Sequence, residues 1–390
     1  MSQIHDENSD SELYIGLMCG TSIDGVDVAL VKIDQARCEL VEHYLHPITA
    51  PIKDSLRQLC SLADNESNLK SLENRIELMG KLDVQMGHVF AASVNQFLSI
   101  KNIPKEKIKA IGSHGQTIRH QPKLEFPFTL QIGDPNIIAL ETGIQTVADF
   151  RRMDIAAGGQ GAPLAPAFHN AVMRSTEENR IILNLGGIAN ITYLPKESES
   201  DVIGFDTGTA NTLMDAWFMK QHPARVDDFD RDSGFAQKGE VDQSLLTHCL
   251  NDPYFELAPP KSTGREYFSI DWLEEKITTS DSNASPADVQ KTLLEFSAIT
   301  IAKAIQDLSL DAFNVYTCGG GTHNRLLIER IEHHLKQTIF ASDKIGISGD
   351  YLEAMTFAWL ARQRLHLQSG NLPSVTGASS EKILGALYLP

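Results

Sequence analysis

The chain has 390 residues, 42% hydrophobic and 22% charged, a size that exceeds the usual single core and predicts two domains of an ordinary globular protein. Its 34 basic and 51 acidic residues give a formal charge of −17. That excludes the basic surface needed for non-specific binding to nucleic acid or an anionic membrane, though a helix N-terminus or glycine-rich turn can still hold an anion locally.

In chain order, residues 1–12, "MSQIHDENSDSE", are polar and acidic and predict a disordered tail without the regions of a signal peptide. No run approaches the ~20 apolar residues of a membrane span. The five cysteines (Cys19, Cys38, Cys60, Cys249 and Cys318) lack C-x-x-C spacing, so free thiols in a reducing cytoplasm are expected. Residues 14–34 predict a β-hairpin, which Glu39–Leu45 extend. Ile76, Met79, Leu82, Met86, Val89, Phe90, Val94 and Phe97 recur at three- and four-residue steps and predict a helix from about Leu69 to Ile100. "IKAIGSHGQT" reads as a short strand entering a Gly-His-Gly turn, and "GIQTVADFRRMD" as a strand ending in charge. The Gly/Pro-rich passage from Asp154 marks the crossing between halves. It divides the chain into an N-terminal domain over 13–155 and a C-terminal domain over 156–390 whose last segment is free to pack back.

Residues 180–195 form a second strand–Gly turn–strand unit, and "VIGFDTGTAN" a further strand ending in a turn. Ser285, Pro286 and Asp288 carry the N-cap, first-position proline and capping-box signals of a long helix. "NVYTCGGGTHN" is a strand, three glycines and the start of a helix. Hairpins at similar places in two halves suggest an internal duplication, and alternating strands and helices make the class α/β.

Several turns carry chemistry. In "MCGTSIDGVD" the backbone N–H groups and the hydroxyls of Thr21 and Ser22 suit phosphate oxygens, and Asp24 or Asp27 suits Mg²⁺; an ordinary hairpin with an Asp-Gly turn explains the same residues. Gly186 and Gly187 in "NLGGIANIT" and the glycines at 319–321 would let a ligand approach bare backbone. Neither is a dinucleotide fingerprint, and no Walker A loop is present. Asp206 in "GFDTGTAN" and Asp232 in "DRDSG" have the look of an aspartic protease. However, Asp232 follows a polar run and only 26 residues separate the two acids, so that reading is rejected. Asp206 remains a general base or a turn cap. Asp350 and Glu353 have capping-box spacing, which explains them structurally. Arg151 and Arg152 could hold a carboxylate by a bidentate pair or flank a strand in solvent.

Taken in order, these glycine turns resemble the nucleotide-binding layout of the acetate and sugar kinase, Hsp70 and actin superfamily. "MCGTSIDGVD", "GSHGQT", "TLQIGD", "DFRRMDIAAGGQGAPL", "NLGGIANIT", "LMDAW", "DPYF", "PPKSTGREYF", "CGGGTHN", "SGDYLEAMTFAWLA" and "NLPSVTGA" narrow this: they look like the anhydro-N-acetylmuramic acid kinase family, from residue 14 to about 380. The resemblance implies two duplicated ribonuclease-H-like domains of the actin-like ATPase fold with an interdomain ATP cleft. It implies a cytoplasmic enzyme of cell-wall recycling, a homodimer, using ATP and Mg²⁺ on an anhydro amino sugar. Gly20, Thr21, Ser22, Ile23, Asp24, Gly25, Val26 and Asp27 would be the ATP phosphate segment. Gly186 and Gly187 would also meet ATP, and Gly319, Gly320 and Asn324 would face the adenosine. Asp206 would be the base, Glu353 would help place a water, and His114, Thr117 and Arg152 would serve the sugar, with Arg152 on its lactyl carboxylate. No Mg²⁺ ligand is assigned. The chain departs from the family after the base, where Gly-Pro-Gly-Asn is usual and Gly208-Thr209-Ala210-Asn211 stands here. A kinase for another 1,6-anhydro sugar such as levoglucosan, or a non-transferring ATPase, are the competing expectations.

Overall fold

The computed structural model describes residues 11–20, 23–35, 37–60, 69–223 and 228–390. Of the expected tail, residues 1–10 lie outside the described residues, whereas Glu12 already opens a strand. In chain order the first elements are β1 (Glu12–Met18), β2 (Gly25–Ile33), β3 (Cys38–Pro47), α1 (Ala50–Cys60), α2 (Leu69–Lys101), β4 (Ile108–Ser113), β5 (Gln116–Gln121), β6 (Phe128–Ile132), α3 (Pro135–Thr142), β7 (Thr146–Ala148), α4 (Arg152–Ala156) and α5 (Ala165–Met173). There follow β8 (Arg180–Leu185), β9 (Ile188–Leu194), β10 (Ile203–Thr209), α6 (Thr212–Gln221), α7 (Gln243–Leu250), α8 (Ile270–Thr279), α9 (Pro286–Gln306), β11 (Asn314–Cys318), α10 (Arg325–Leu335) and β12 (Ile339–Ala341). The chain ends in α11 (Leu352–Leu365), α12 (Pro373–Thr376) and β13 (Ala386–Tyr388).

Two units result, one of residues 1–172 with 351–390, the other of residues 173–350. The division therefore falls at 172/173 rather than at 155/156, because α4 and most of α5 stay with the first unit. The last forty residues return to it as well. Its sheet runs β3-β2-β1-β4-β7-β13: β1–β2 and β2–β3 are antiparallel, β1–β4 and β4–β7 parallel, and β13 closes the edge antiparallel to β7. The second sheet runs β10-β9-β8-β11-β12, again with two antiparallel pairs followed by two parallel ones. Each unit thus repeats the strand order 3-2-1-4-5 of a ribonuclease-H-like fold.

Central strands covered on both faces read as nearly continuous apolar runs, and β1 shows why. Ile15 and Leu17 pack into one cluster with Leu82, Met86, Phe90, Val94 and Phe97 of α2. Gly16 lies on the alternate face, where a Cβ would collide with the Ala354 carbonyl of α11. Gly112 of β4 stands in the same relation to Phe357. These two strand glycines let α11 lie backbone-close on the sheet, which ties a helix from the far end of the chain to the first unit. A second tie is Asp154, fully buried, whose carboxylate accepts from the Gly161 N–H, the Asn371 amide and the Thr376 hydroxyl, each at 2.7 Å.

In the second unit, α9 supplies Leu293, Leu294, Phe296 and Ile301 to a core shared with Ile181, Leu183 and Val315 of the sheet. Its start is the expected capping box: the Ser285 hydroxyl accepts from the Asp288 N–H, and Asp288 accepts from the Ser285 N–H. Among the described residues, no helix is long and apolar enough to cross a membrane.

Candidate active site

Asp206 sits in β10 where the register against β9 slips between Asp206 and Gly208. Such a bulge leaves one residue unpaired and re-aims its neighbours. The carboxylate accepts the Thr263 N–H at 3.0 Å; the Asp206 backbone is held by the Lys261 carbonyl at 3.0 Å and the Tyr254 hydroxyl at 2.7 Å. Burial pushes the carboxyl up to about 6, opposed by the Thr263 bond and reinforced by Glu266. Gly208 has φ +142°, and a Cβ there would press on the Phe255 ring at 3.0 Å, so the position requires glycine. The departure after it is absorbed locally. Thr209 and Ala210 are fully buried, and the Ser297 hydroxyl of α9 lies 3.2 Å from both the Thr209 hydroxyl and the Ala210 carbonyl.

The strand leaving Asp206 is stitched to the Gly186-Gly187 turn. Ala210 and Thr212 donate their N–H groups to Gly187, and Asn211 donates both its N–H and its side-chain amide to Gly186. A side chain at Gly187 would strike the Thr212 hydroxyl at 2.7 Å. That hydroxyl and the one of Thr263 are buried without a hydrogen-bond partner among the described residues. The sequence offered no periodicity or spacing that singles out either threonine.

After β11, Gly319 (φ +83°) and the turn at Gly320–His323 lead into α10. Asn324 caps that helix by accepting the Leu327 N–H at 3.1 Å, and also takes the Ser233 hydroxyl at 2.8 Å. A cavity of about 530 Å³ opens here, lined by Gly320, Gly321 and Asn324 together with Asn211, Met214 and Leu294. The protease-like Asp232 lies on its wall in a short turn at φ +54°.

In the first unit, His114 is buried and accepts from two nitrogens of Arg151, Nε at 3.1 Å and Nη2 at 2.9 Å. Arginine only donates, so the accepting His114 Nε2 is unprotonated and the proton sits on Nδ1. Burial and the Arg151 charge hold this imidazole well below the usual histidine range. Burial also draws Arg151 down to about 10, against support from the Glu353 and Asp154 carboxylates. Of the adjacent arginines, Arg152 is the exposed one, its Nε on Asp149 at 2.7 Å, and it lines a cavity of about 120 Å³ with His114, Gln131 and Tyr388. Thr117 does not line that cavity; its hydroxyl accepts the Gln131 amide at 3.1 Å.

Of the expected phosphate segment, Thr21 and Ser22 lie outside the described residues. The rest is a turn in which the Ile23 N–H meets the Gly20 carbonyl at 3.1 Å. Ile23 holds φ +59°, a strained conformation for a β-branched residue, and still buries its side chain in the core. Gly25 and Val26 begin β2, Asp24 is exposed and Asp27 half-buried. One expectation fails. Asp350 and Glu353 form no capping box, because α11 starts at Leu352 with Tyr351 as its N-cap, which leaves Asp350 to pair with His323 at 2.9 Å. Glu353 is exposed in the first turn of α11.

Two units of the same strand order, each with a glycine turn between its first two strands, define the actin-like ATPase class, which includes sugar kinases. Within that class the sequence matches the family anhydro-N-acetylmuramic acid kinase over residues 12–390. Curated relatives of that name include one from Coxiella burnetii (strain Dugway 5J108-111), 46% identical over 97% of both chains. Another, from Xylella fastidiosa (strain Temecula1 / ATCC 700964), is 47% identical over 99% of both. The chain belongs to the anhydro-N-acetylmuramic acid kinase family and is an enzyme, a kinase. Among solved structures, it is similar to the activator of the 2-hydroxyisocaproyl-CoA dehydratase from Clostridium difficile with bound ADPNP. That likeness is 11% identical with a TM-score of 0.43, over 91% of this chain and 97% of that one.

Proposed function

We propose that this kinase converts 1,6-anhydro-N-acetylmuramic acid, ATP and water to N-acetylmuramic acid 6-phosphate and ADP, in the cytoplasm, as a step of peptidoglycan recycling. The observation that carries its mechanism is Asp206, a carboxylate on a strand bulge with its proton affinity raised to about 6. In an anhydro sugar O6 is an ether oxygen with no proton to give, so its phosphorylation must coincide with rupture of C1–O6. Water adds to C1 as that bond breaks, and Asp206 takes the proton the water loses. O6 leaves with the electron pair of the broken bond and attacks the γ-phosphoryl group, which expels ADP. Glu353 helps to place the water.

Gly20–Asp27, Gly186 and Gly187 serve the phosphates, while Gly319, Gly320 and Asn324 border the nucleoside. His114 and Thr117 face the sugar, and Arg152 takes its lactyl carboxylate. Among the described residues no three His, Cys, Asp or Glu side chains gather around one point. Asp24, exposed at the turn, and half-buried Asp27 in β2 are the one or two carboxylates that Mg²⁺ takes beside nucleotide phosphates and water. Asp24 and Asp27 would hold it, and when bound it neutralises charge on the transferring phosphoryl group. The enzyme acts as a homodimer, which light scattering on the purified chain tests. For the chemistry, the pH dependence of kcat/KM for the sugar is the direct test: activity lost on acidification with a midpoint near 6 supports Asp206 as base, and a flat profile from pH 5 to 8 counts against it.

A further inference from the structure

One buried side chain on the wall of the 530 Å³ cavity has no part in the fold or in the reaction as described. Gln290, in the second turn of α9, is 1% exposed, and its Oε1 has no hydrogen-bond partner among the described residues. Two residues on, Thr292 shows what a satisfied buried group in the same helix looks like: it donates to the Asp288 carbonyl at 2.7 Å and accepts the Asp242 N–H at 2.9 Å. Other polar groups of the wall are also engaged. Asn211 donates to Gly186 at 2.7 Å, Ser233 to Asn324 at 2.8 Å, and Asp230 accepts the Phe235 and Ala236 N–H groups. A buried amide left unpaired is costly unless a ligand completes it.

The surroundings define the ligand. Met214 and Leu294 give the wall apolar surface, and Gly320 gives it bare backbone, with nothing within 4 Å of where a Cβ would stand. A planar heterocycle with a donor beside an acceptor fits such a place. We propose that Gln290 is the base-reading residue of the nucleoside pocket. Its Oε1 accepts from the exocyclic amino group of adenine and its Nε2 donates to the neighbouring ring nitrogen, the two-point pairing that carboxamides make with adenine. That ring nitrogen is N7: in hypoxanthine O6 and N7 are both acceptors, so neither orientation of the amide pairs with the two, and ITP is disfavoured. The assignment rests on reading this cavity as the nucleoside site.

The test compares ATP and ITP as phosphoryl donors for wild type and Gln290→Leu. The variant is expected to raise KM for ATP about tenfold and to bring the ATP-over-ITP preference close to one, with KM for the sugar unchanged. Its unliganded melting temperature should not fall, because an apolar group replaces an unpaired polar one; a drop would mark Gln290 as structural and overturn the proposal. An unchanged ATP-over-ITP preference overturns it too. Gly320→Phe, which sends a ring into the open space, separates the two failures. If it raises KM for ATP while Gln290→Leu has no effect, the pocket stands and the role of Gln290 falls. If neither variant moves KM for ATP, both fall.

Discussion

Asp206 owes its place to a one-residue slip in a β-ladder and its proton affinity to burial, and both have measurable consequences. A carboxylate near 6 is ionised at neutral pH and protonated below it, so kcat/KM for the sugar should drop about tenfold for each unit of acidification well below 6. Asp206→Asn keeps the shape and removes the base, and should cost at least 10²-fold in kcat. Gly208→Ala forces a side chain into a backbone region that disfavours it and against Phe255. It should lower the melting temperature and kcat together, whereas a variant as stable and active as wild type would show the turn to be more pliant than its φ implies. Arg152→Ala should raise KM for a substrate with the lactyl carboxylate and spare one without it; equal losses on both would remove that role. At this scale the sequence was only partly legible. Asp206 stood out because it follows an apolar run, although the strand does not end there but continues to Thr209. The choice between Arg151 and Arg152 did not, since the turn after β7 decides which of two adjacent arginines faces His114.

Among the elements, those set by local chemistry could be read directly: apolar segments on either side of a glycine-containing turn marked the hairpins of β1–β2 and β8–β9, and Ser285 with Asp288 marked the start of α9. Ser285→Ala should therefore cost about 1 kcal/mol in chemical denaturation. The long helix α2 was visible in its stripe, although Ile76 proves 67% exposed because the packed face is taken up by Leu78 and Met79 and continues through Leu82. What could not be read is where α11 belongs. Its partners Gly16 and Gly112 look like any strand glycines in sequence, and only the packed structure shows that they make room for a helix backbone. Gly112→Ala should destabilise the protein by about 1–3 kcal/mol, with a change below 0.5 kcal/mol excluding so close an approach. Asp350 and Glu353 teach the converse, since spacing that satisfies a capping rule does not place the helix start.

Across the whole chain, the duplicated 3-2-1-4-5 order explains why glycine turns recur at matching points of the two units, and why a Gly/Pro-rich passage near 155 misplaced their boundary. Strands and helices of the first unit continue to 172, and its sheet is finished only by β13 at the other end of the chain. Such long-range closure leaves no local signal. Asp154, which binds the 158–161 loop and the C-terminal segment at once, is where that closure is most exposed to mutation. Asp154→Ala should cost about 3 kcal/mol by leaving its donors unpaired, and a loss under 1 kcal/mol would show that β13 and α11 suffice without it. Whether one event opens the anhydro ring and phosphorylates O6 is decided by incubating the enzyme with Mg-ATP and 1,6-anhydro-N-acetylmuramic acid in ¹⁸O-water and analysing the product at early times by mass spectrometry. The product should be a sugar 6-phosphate carrying ¹⁸O at C1, formed one-for-one with ADP and lost in Asp206→Asn. ADP released without sugar phosphate would overturn the coupled reaction, and a sugar phosphate formed as readily by Asp206→Asn would remove Asp206 as its base.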